Sequence, residues 1–134
     1  MGRYIYSDNE ELNGYKFAFG IQSSNAPERF GAIDNSSSFI NYTIEEKEPI
    51  VEEINKIKKN LGENILLFLN DFFKKNDFYN DKILIDEAKK NNINIDEHNV
   101  RNILNDFFDL VLGEKLLKAF ESNYGEPLEF QSEL

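Results

Sequence analysis

The chain has no cysteine and no tryptophan, one methionine, one histidine and three prolines. Without cysteine it has no disulfide, thiolate metal ligand or thiol nucleophile, which fits a reducing compartment. The lone histidine, His98, leaves no Cys–His pair, and a Ser-His-Asp site would hinge on this one residue at the solvated start of a helix. Gly20 and Gly31 stand apart, so there is no glycine-rich phosphate loop. No apolar run reaches the roughly 18 residues of a membrane span, and the opening Met-Gly-Arg-Tyr-Ile-Tyr-Ser-Asp has no signal core; the expectation is a cytoplasmic protein without membrane contact. Positive charge is also scarce, with 15 Lys and Arg against 25 Asp and Glu, a formal charge of -10. Residues 96–134 carry most of this imbalance, nine acids against three bases. That distribution disfavours nucleic acid and anionic lipid and favours a basic protein or nucleoprotein partner.

What the chain does have is aromatic residues, with 12 Phe and 6 Tyr in 134 residues. This supports one domain over 1–134, with a β-rich part at 1–44, a helical part at 49–122 and a tail at 123–134. In Gly14–Gln22 every second residue (Tyr15, Phe17, Phe19, Ile21) is bulky, as on one face of a strand, so the segment is expected to be the central strand. Arg3–Tyr6 precedes it as a hairpin partner across Asn13-Gly14, and Ser38–Ile44 is read as a third strand. The expected fold class is α+β: an N-terminal three-stranded antiparallel sheet packed by a helical region. Tyr4 or Tyr6, Phe30, Tyr42, Phe78 and Tyr79 are expected to include partly exposed aromatics, and Ala18 and Gly20 to leave a face of small residues.

Met1-Gly2-Arg3-Tyr4, then Gly14-Tyr15-Lys16-Phe17-Ala18-Phe19-Gly20-Ile21-Gln22-Ser23-Ser24 and Phe30-Gly31, resembles the opening of a family of uncharacterised bacterial proteins. Those begin roughly Met-Gly-Arg-Tyr-Tyr and continue Gly-Lys-Phe-aromatic-Phe-Gly-hydrophobic-Gln-Ser-Ser. The chain departs from the pattern in its longer connection Asn9–Asn13 and at Ala18, where the family favours an aromatic. The resemblance covers about the first thirty residues; it implies a shared N-terminal fold and carries no activity.

Ile50, Ile54, Ile57 and Leu61 recur at helical spacing after Pro49, with Gly62 as terminator; Ile65, Phe68 and Phe72 continue the phase, so one bent helix or two helices both fit. Asn64–Lys75 is almost wholly apolar. Lys82–Asn91 is a shorter helix. Asp96 is placed as N-cap of a helix carrying Val100, Ile103, Leu104, Phe107, Phe108 and Val111 and ending at Gly113, with a further helical piece over Glu114–Ser122. Leu-Asn-Asp-Phe-Phe occurs twice, at Leu69–Phe73 and Leu104–Phe108, too few copies for a helical repeat.

The trio 64–75, 82–91 and 96–112 is helix-turn-helix-like. Its third helix, however, offers one Arg against several carboxylates, which opposes phosphate binding. Asp106 and Asp109 are spaced for an acid/base or metal pair, and Asn92, Asn94 and Asp96 imitate an EF-hand start that fails at Glu97 and Ile103. No cofactor, metal or catalytic residue is therefore assigned. The expected function is a non-enzymatic acidic binding protein, of the kind of a phage inhibitor of a bacterial nucleic-acid-handling defence complex (anti-CRISPR-like). Its partner-binding residues are expected to be Asp106, Asp109, Glu114, Glu97 and Arg101. The alternatives are a helix-turn-helix transcriptional regulator, an immunity protein neutralising a toxin, and, as a third class, a hydrolase with a concave site at His98 or Asp106.

Overall fold

The computed structural model describes residues 4–18, 21–23, 25–35, 41–76 and 80–132. Among these, Leu128-Glu129-Phe130-Gln131-Ser132 alternates buried and more accessible residues, as a strand with one covered face must. This strand, β4 (Leu128–Ser132), lies between β1 (Ile5–Tyr6) and β3 (Asn41–Ile44), and β2 (Ile33–Asp34) completes an antiparallel sheet in the order β1-β4-β3-β2. The register sets Ile5 opposite Ser132, Tyr42 opposite Phe130 and Ile44 opposite Leu128. Ile5, Tyr42, Ile44, Leu128 and Phe130 are buried and join the helices in one core, whereas Tyr6, Ile33 and Glu129 face outward.

The fold is α+β, but the sheet is not the expected N-terminal three-stranded one. The segment read as a loose tail supplies a central strand. Among the described residues, the segment read as the central strand supplies a bridge, from Tyr4 to Lys16, beside hydrogen bonds that join Ile5 to Gly14 and Tyr15. Beyond Phe17 the chain turns: the amides of Ile21 and Gln22 donate to the Ala18 carbonyl, and the side chain of Gln22 accepts the Ala18 N–H that a neighbouring strand would otherwise take. Phe19 and Gly20 lie outside the described residues, as do 36–40 of the third predicted strand. Phe30 and Tyr42, expected among the exposed aromatics, are fully buried, while Tyr6 is exposed; Phe78 and Tyr79 lie outside the described residues. The Tyr42 ring lies 5.6 Å from that of Phe130, and its hydroxyl donates to Glu28.

The helices are α1 (Glu48–Leu61), α2 (Glu63–Lys75), α3 (Asp81–Lys90) and α4 (Val100–Glu121), preceded by a 3₁₀ turn at Ala26–Phe30. Gly62, at φ 83° and ψ 155°, occupies backbone space that residues with a Cβ avoid, and it resolves 49–75 into two helices rather than one bent one. Asn80 caps α3 by accepting the Ile83 N–H. Asp96 and Asn99 form a reciprocal capping box ahead of α4, each side chain accepting the other's backbone N–H. α4 then runs through Gly113, the expected terminator, and absorbs the separate helical piece. α3 ends at Lys90 and α4 begins at Val100, far more than the three- or four-residue turn of a helix-turn-helix unit, so that detail of the trio is not realised.

Gly113 is a packing residue. A Cβ there would fall inside the van der Waals envelope of the buried Phe30 ring, so the missing side chain is what lets the 3₁₀ turn seat on α4. The two Leu-Asn-Asp-Phe-Phe copies pack on each other: Phe73 stacks on Phe107 at 5.5 Å and meets Phe108 edge-on at 5.2 Å. Gly113→Ala would raise helix propensity by about 1 kcal/mol, yet overpacking a closed core costs about 1–3 kcal/mol. The variant should therefore have a lower urea midpoint, and a midpoint raised by the full propensity gain would show that the Phe30 contact is slack.

Candidate functional site

The best-defined polar site is built around Arg29. Pro27 lies in the first turn of the 3₁₀ segment and Gly31 ends it at φ 90°, with a Cβ position crowded by Pro49 at the start of α1. Phe30 is pressed onto Gly113 of α4. With its neighbours fixed on both helices, Arg29 enters the seam between α1 and α4. Its Nε donates to Glu53 Oε2 at 2.5 Å, Nη2 meets Asp106 Oδ1 at 3.0 Å and Nη1 meets Asp109 Oδ2 at 2.8 Å.

The network continues inward. Asp109 Oδ1 accepts from Gln22 Nε2 at 3.1 Å, and Gln22 Nε2 also donates to the Phe108 carbonyl. Gln22 Oε1 accepts the Tyr15 hydroxyl at 3.0 Å, and Asn105 donates to the Ile21 carbonyl. Gln22 and Asp109 are both buried, and no buried side-chain polar atom among the described residues lacks a partner. Burial by itself would lower the Arg29 pKa, but the hydrogen bonds with Glu53, Asp109 and Asp106 outweigh it and hold the guanidinium above its ordinary value. Burial pushes the Tyr15 phenol up to about 12, and the Asp109 charge adds to it.

Of the five residues expected to bind a partner, Asp106 and Asp109 are thus committed to Arg29, and Asp109 is only 5% exposed. Their three-residue spacing brings both carboxylates to the same guanidinium rather than to a partner or a metal. Arg101 is exposed and pairs with Asp81 at 3.2 Å. Glu97 lies ahead of α4 in a depression lined also by Asp81, Lys82, Asp86 and Lys89. Lys89 and Lys90, which with Arg101 would have to form the basic strip of a DNA reader, are interleaved with Glu97 and Glu87. Glu114 stands about 140° around α4 from Asp109, at 100° per residue, and faces a different surface. The five residues therefore do not make one patch.

The other acids of the last third are spread as well: Glu121 pairs with Lys47, and Glu129 lines a polar depression of about 630 Å³ on the outer sheet face beside Tyr6 and Asp8. His98 is exposed, and its backbone N–H donates to Asp96. Asp96 is taken up by capping, and among the described residues no group of three or more His, Asp or Glu is placed to hold a metal ion. Among the same residues no helix is long and apolar enough to cross a membrane.

Glu114 instead belongs to a groove of about 400 Å³ between α2 and α4. Glu63, Leu66, Leu67 and Asn70 form one i, i+3, i+4, i+7 stripe of α2; Phe107, Leu110, Val111 and Glu114 form the matching stripe of α4. No sequence pattern marks a groove, because both stripes read as core faces; the excess apolar length of Ile65–Leu69 was the available signal. No protein-family model, curated protein or solved structure matches this chain.

Arg29→Met leaves Asp109 buried without its cation, which should cost about 3–5 kcal/mol in urea unfolding, while Asp106→Asn, at the more exposed edge, should cost no more than about 1 kcal/mol. Equal costs would mean that the network is not graded by burial. For Tyr15 the folded pKa is raised, so the neutral phenol gives stability that is complete below pH 10 and is lost as the pH rises through about 12. Wild type should lose stability relative to Tyr15→Phe across that window; parallel pH profiles would show that the phenol is not shielded.

Proposed function

We propose that this chain is a non-enzymatic binding protein that captures a basic protein or nucleoprotein partner, acting as an inhibitor of a bacterial nucleic-acid-handling defence complex in an anti-CRISPR-like manner. The observation that carries this reading is the formal charge of -10 together with exposed acids that no ion pair among the described residues takes up. Arg29 engages three carboxylates, and the remaining ion pairs among the described residues are peripheral, so exposed acids such as Glu97 and Glu114 keep their charge available. Nucleic-acid-handling complexes present wide basic channels, and an acidic globule competes for such a surface by the same long-range attraction that guides the nucleic acid. The one close pair of carboxylates on α4 is occupied by a guanidinium, which supports binding over acid/base chemistry.

Immobilised on a resin, the protein should retain nucleic-acid-binding proteins from a bacterial lysate at low salt and release them at high salt or on addition of nucleic acid. The double reversal Glu97→Lys with Glu114→Lys should weaken that retention several-fold without changing the unfolding midpoint. Retention that ignores salt, nucleic acid and both reversals would remove the proposal.

A further inference from the structure

The sheet is covered on one face only. Ile5, Tyr42, Ile44, Leu128 and Phe130 turn inward to the helices, whereas Tyr6, Ile33 and Glu129 point the other way and are exposed. On that outer face lies the polar depression of about 630 Å³, a size within the ordinary range of ligand sites. The register fixes what meets there. Tyr6 pairs with Gln131 of β4, and Glu129, two residues earlier on β4, lies diagonal to Tyr6 on the same face. Thr43 of β3 stands opposite Glu129. The Ser7 hydroxyl donates to the Glu129 carbonyl at 2.8 Å and so brings Asp8, the next residue, to the rim.

The rim is held in place by the chain itself. Asn13 Oδ1 accepts the Ser7 N–H at 3.0 Å, Asn9 Oδ1 accepts the Glu11 N–H, and Asn9 Nδ2 donates to the Ala119 carbonyl of α4 at 2.9 Å. A loop fixed in this way has little conformational freedom left to lose on binding. The charge of the depression has one sign: its described lining contains Asp8 and Glu129 and no Lys, Arg or His. Among the described residues neither carboxylate makes an ion pair. Two such carboxylates beside a Tyr6 ring that is 50% exposed, with Gln131 and Thr43 in the same lining, match a flat cation that stacks and donates several hydrogen bonds at once.

We propose that this outer sheet face docks an arginine side chain of the basic partner, its guanidinium paired with Asp8 and Glu129 and laid against the Tyr6 ring. The assignment rests on the basic-partner reading above and gives that partner a place of contact. Charge complementarity selects the occupant: nucleic acid and anionic lipid would meet two like charges, and a second copy of this chain would bring a further -10. Lysine fits less well, because its compact, strongly hydrated ammonium neither stacks flat nor pairs two-pronged with a carboxylate. The donor set opposes a metal ion, since among the described residues no group of three or more His, Asp or Glu converges.

The test uses two-dimensional NMR of the full chain titrated with the peptide Gly-Ser-Arg-Gly-Ser-Arg-Gly-Ser, and with versions carrying Lys or citrulline in place of Arg. The Arg peptide should shift the amide signals of Tyr6, Asp8, Glu129 and Gln131. Its affinity should fall about tenfold in Asp8→Asn with Glu129→Gln, whose unfolding midpoint should match wild type, and several-fold in Tyr6→Leu. Glu97→Gln with Glu114→Gln, on other surfaces, should change it by less than about twofold. The Lys peptide should bind several-fold more weakly and the citrulline peptide not at all. Equal binding of the Lys peptide would overturn the arginine assignment. Shifts confined to other acidic surfaces, or wild-type affinity in the Asp8→Asn, Glu129→Gln variant, would overturn the sheet face. Retention from a bacterial lysate separates the two readings: undiminished retention by that variant overturns the sheet site and leaves the basic partner in place, whereas a wild-type resin that retains nothing at low salt removes both.

Discussion

A guanidinium entering the seam between two helices can stay there only if carboxylates from both meet it. Arg29 satisfies that condition through Glu53 on α1 and Asp106 and Asp109 on α4. The 3₁₀ turn is tied through it to both α1 and α4, and Asp109 extends the network to Gln22. Removing Arg29 would strand the buried Asp109 charge, so the arrangement holds the two helices in one relation to each other. Its apolar complement is the Phe30 ring on Gly113, which brings the turn close enough for Arg29 to reach both sides. The polar and the apolar contact depend on each other: without the glycine the ring stands off, and without the ring the guanidinium sits in solvent.

α4 is the element around which the rest is arranged. Its buried residues run from Val100 to Ala119 and lie on several faces, since it touches α1, the 3₁₀ turn and, through the Phe73–Phe107 stack, α2. Its remaining accessible strip, at Val111 and Glu114, is shared with α2 and combines apolar surface with unneutralised acid.

Much of this was legible from residue order. The helical spacing of Ile50, Ile54, Ile57 and Leu61 and the stop at Gly62 each act through a local cause, and each is present in the structure; Asp96, expected as the N-cap, instead holds the turn ahead of α4, whose N-cap is Asn99. Local signals misled where the deciding partner is distant in sequence. Tyr15–Ile21 alternates like a strand, yet the side chain of Gln22, anchored on Asp109, takes the amide that a strand would offer to a neighbour. Leu128 and Phe130 alternate just as clearly, but Gly125 and Pro127 before them read as the start of a tail. The spacing of Asp106 and Asp109 correctly put both carboxylates on one side of α4; what it could not show was that Arg29, some eighty residues earlier, would be waiting there. Gly113 reads as a terminator because a ring that fills its missing side chain leaves no trace in the neighbouring residues.

The central position of β4 has a consequence for the order in which the molecule assembles. β1 and the β2–β3 pair are not neighbours in the sheet; they are joined through a strand that follows every other described element in the chain. Closure of the sheet is therefore a long-range event, to which loop entropy gives a slow step, while the local helical contacts form early. Until Leu128–Ser132 docks, β3 presents an open hydrogen-bonding edge beside Tyr42 and Ile44, so the interval before that last pairing is when the chain is most exposed to self-association.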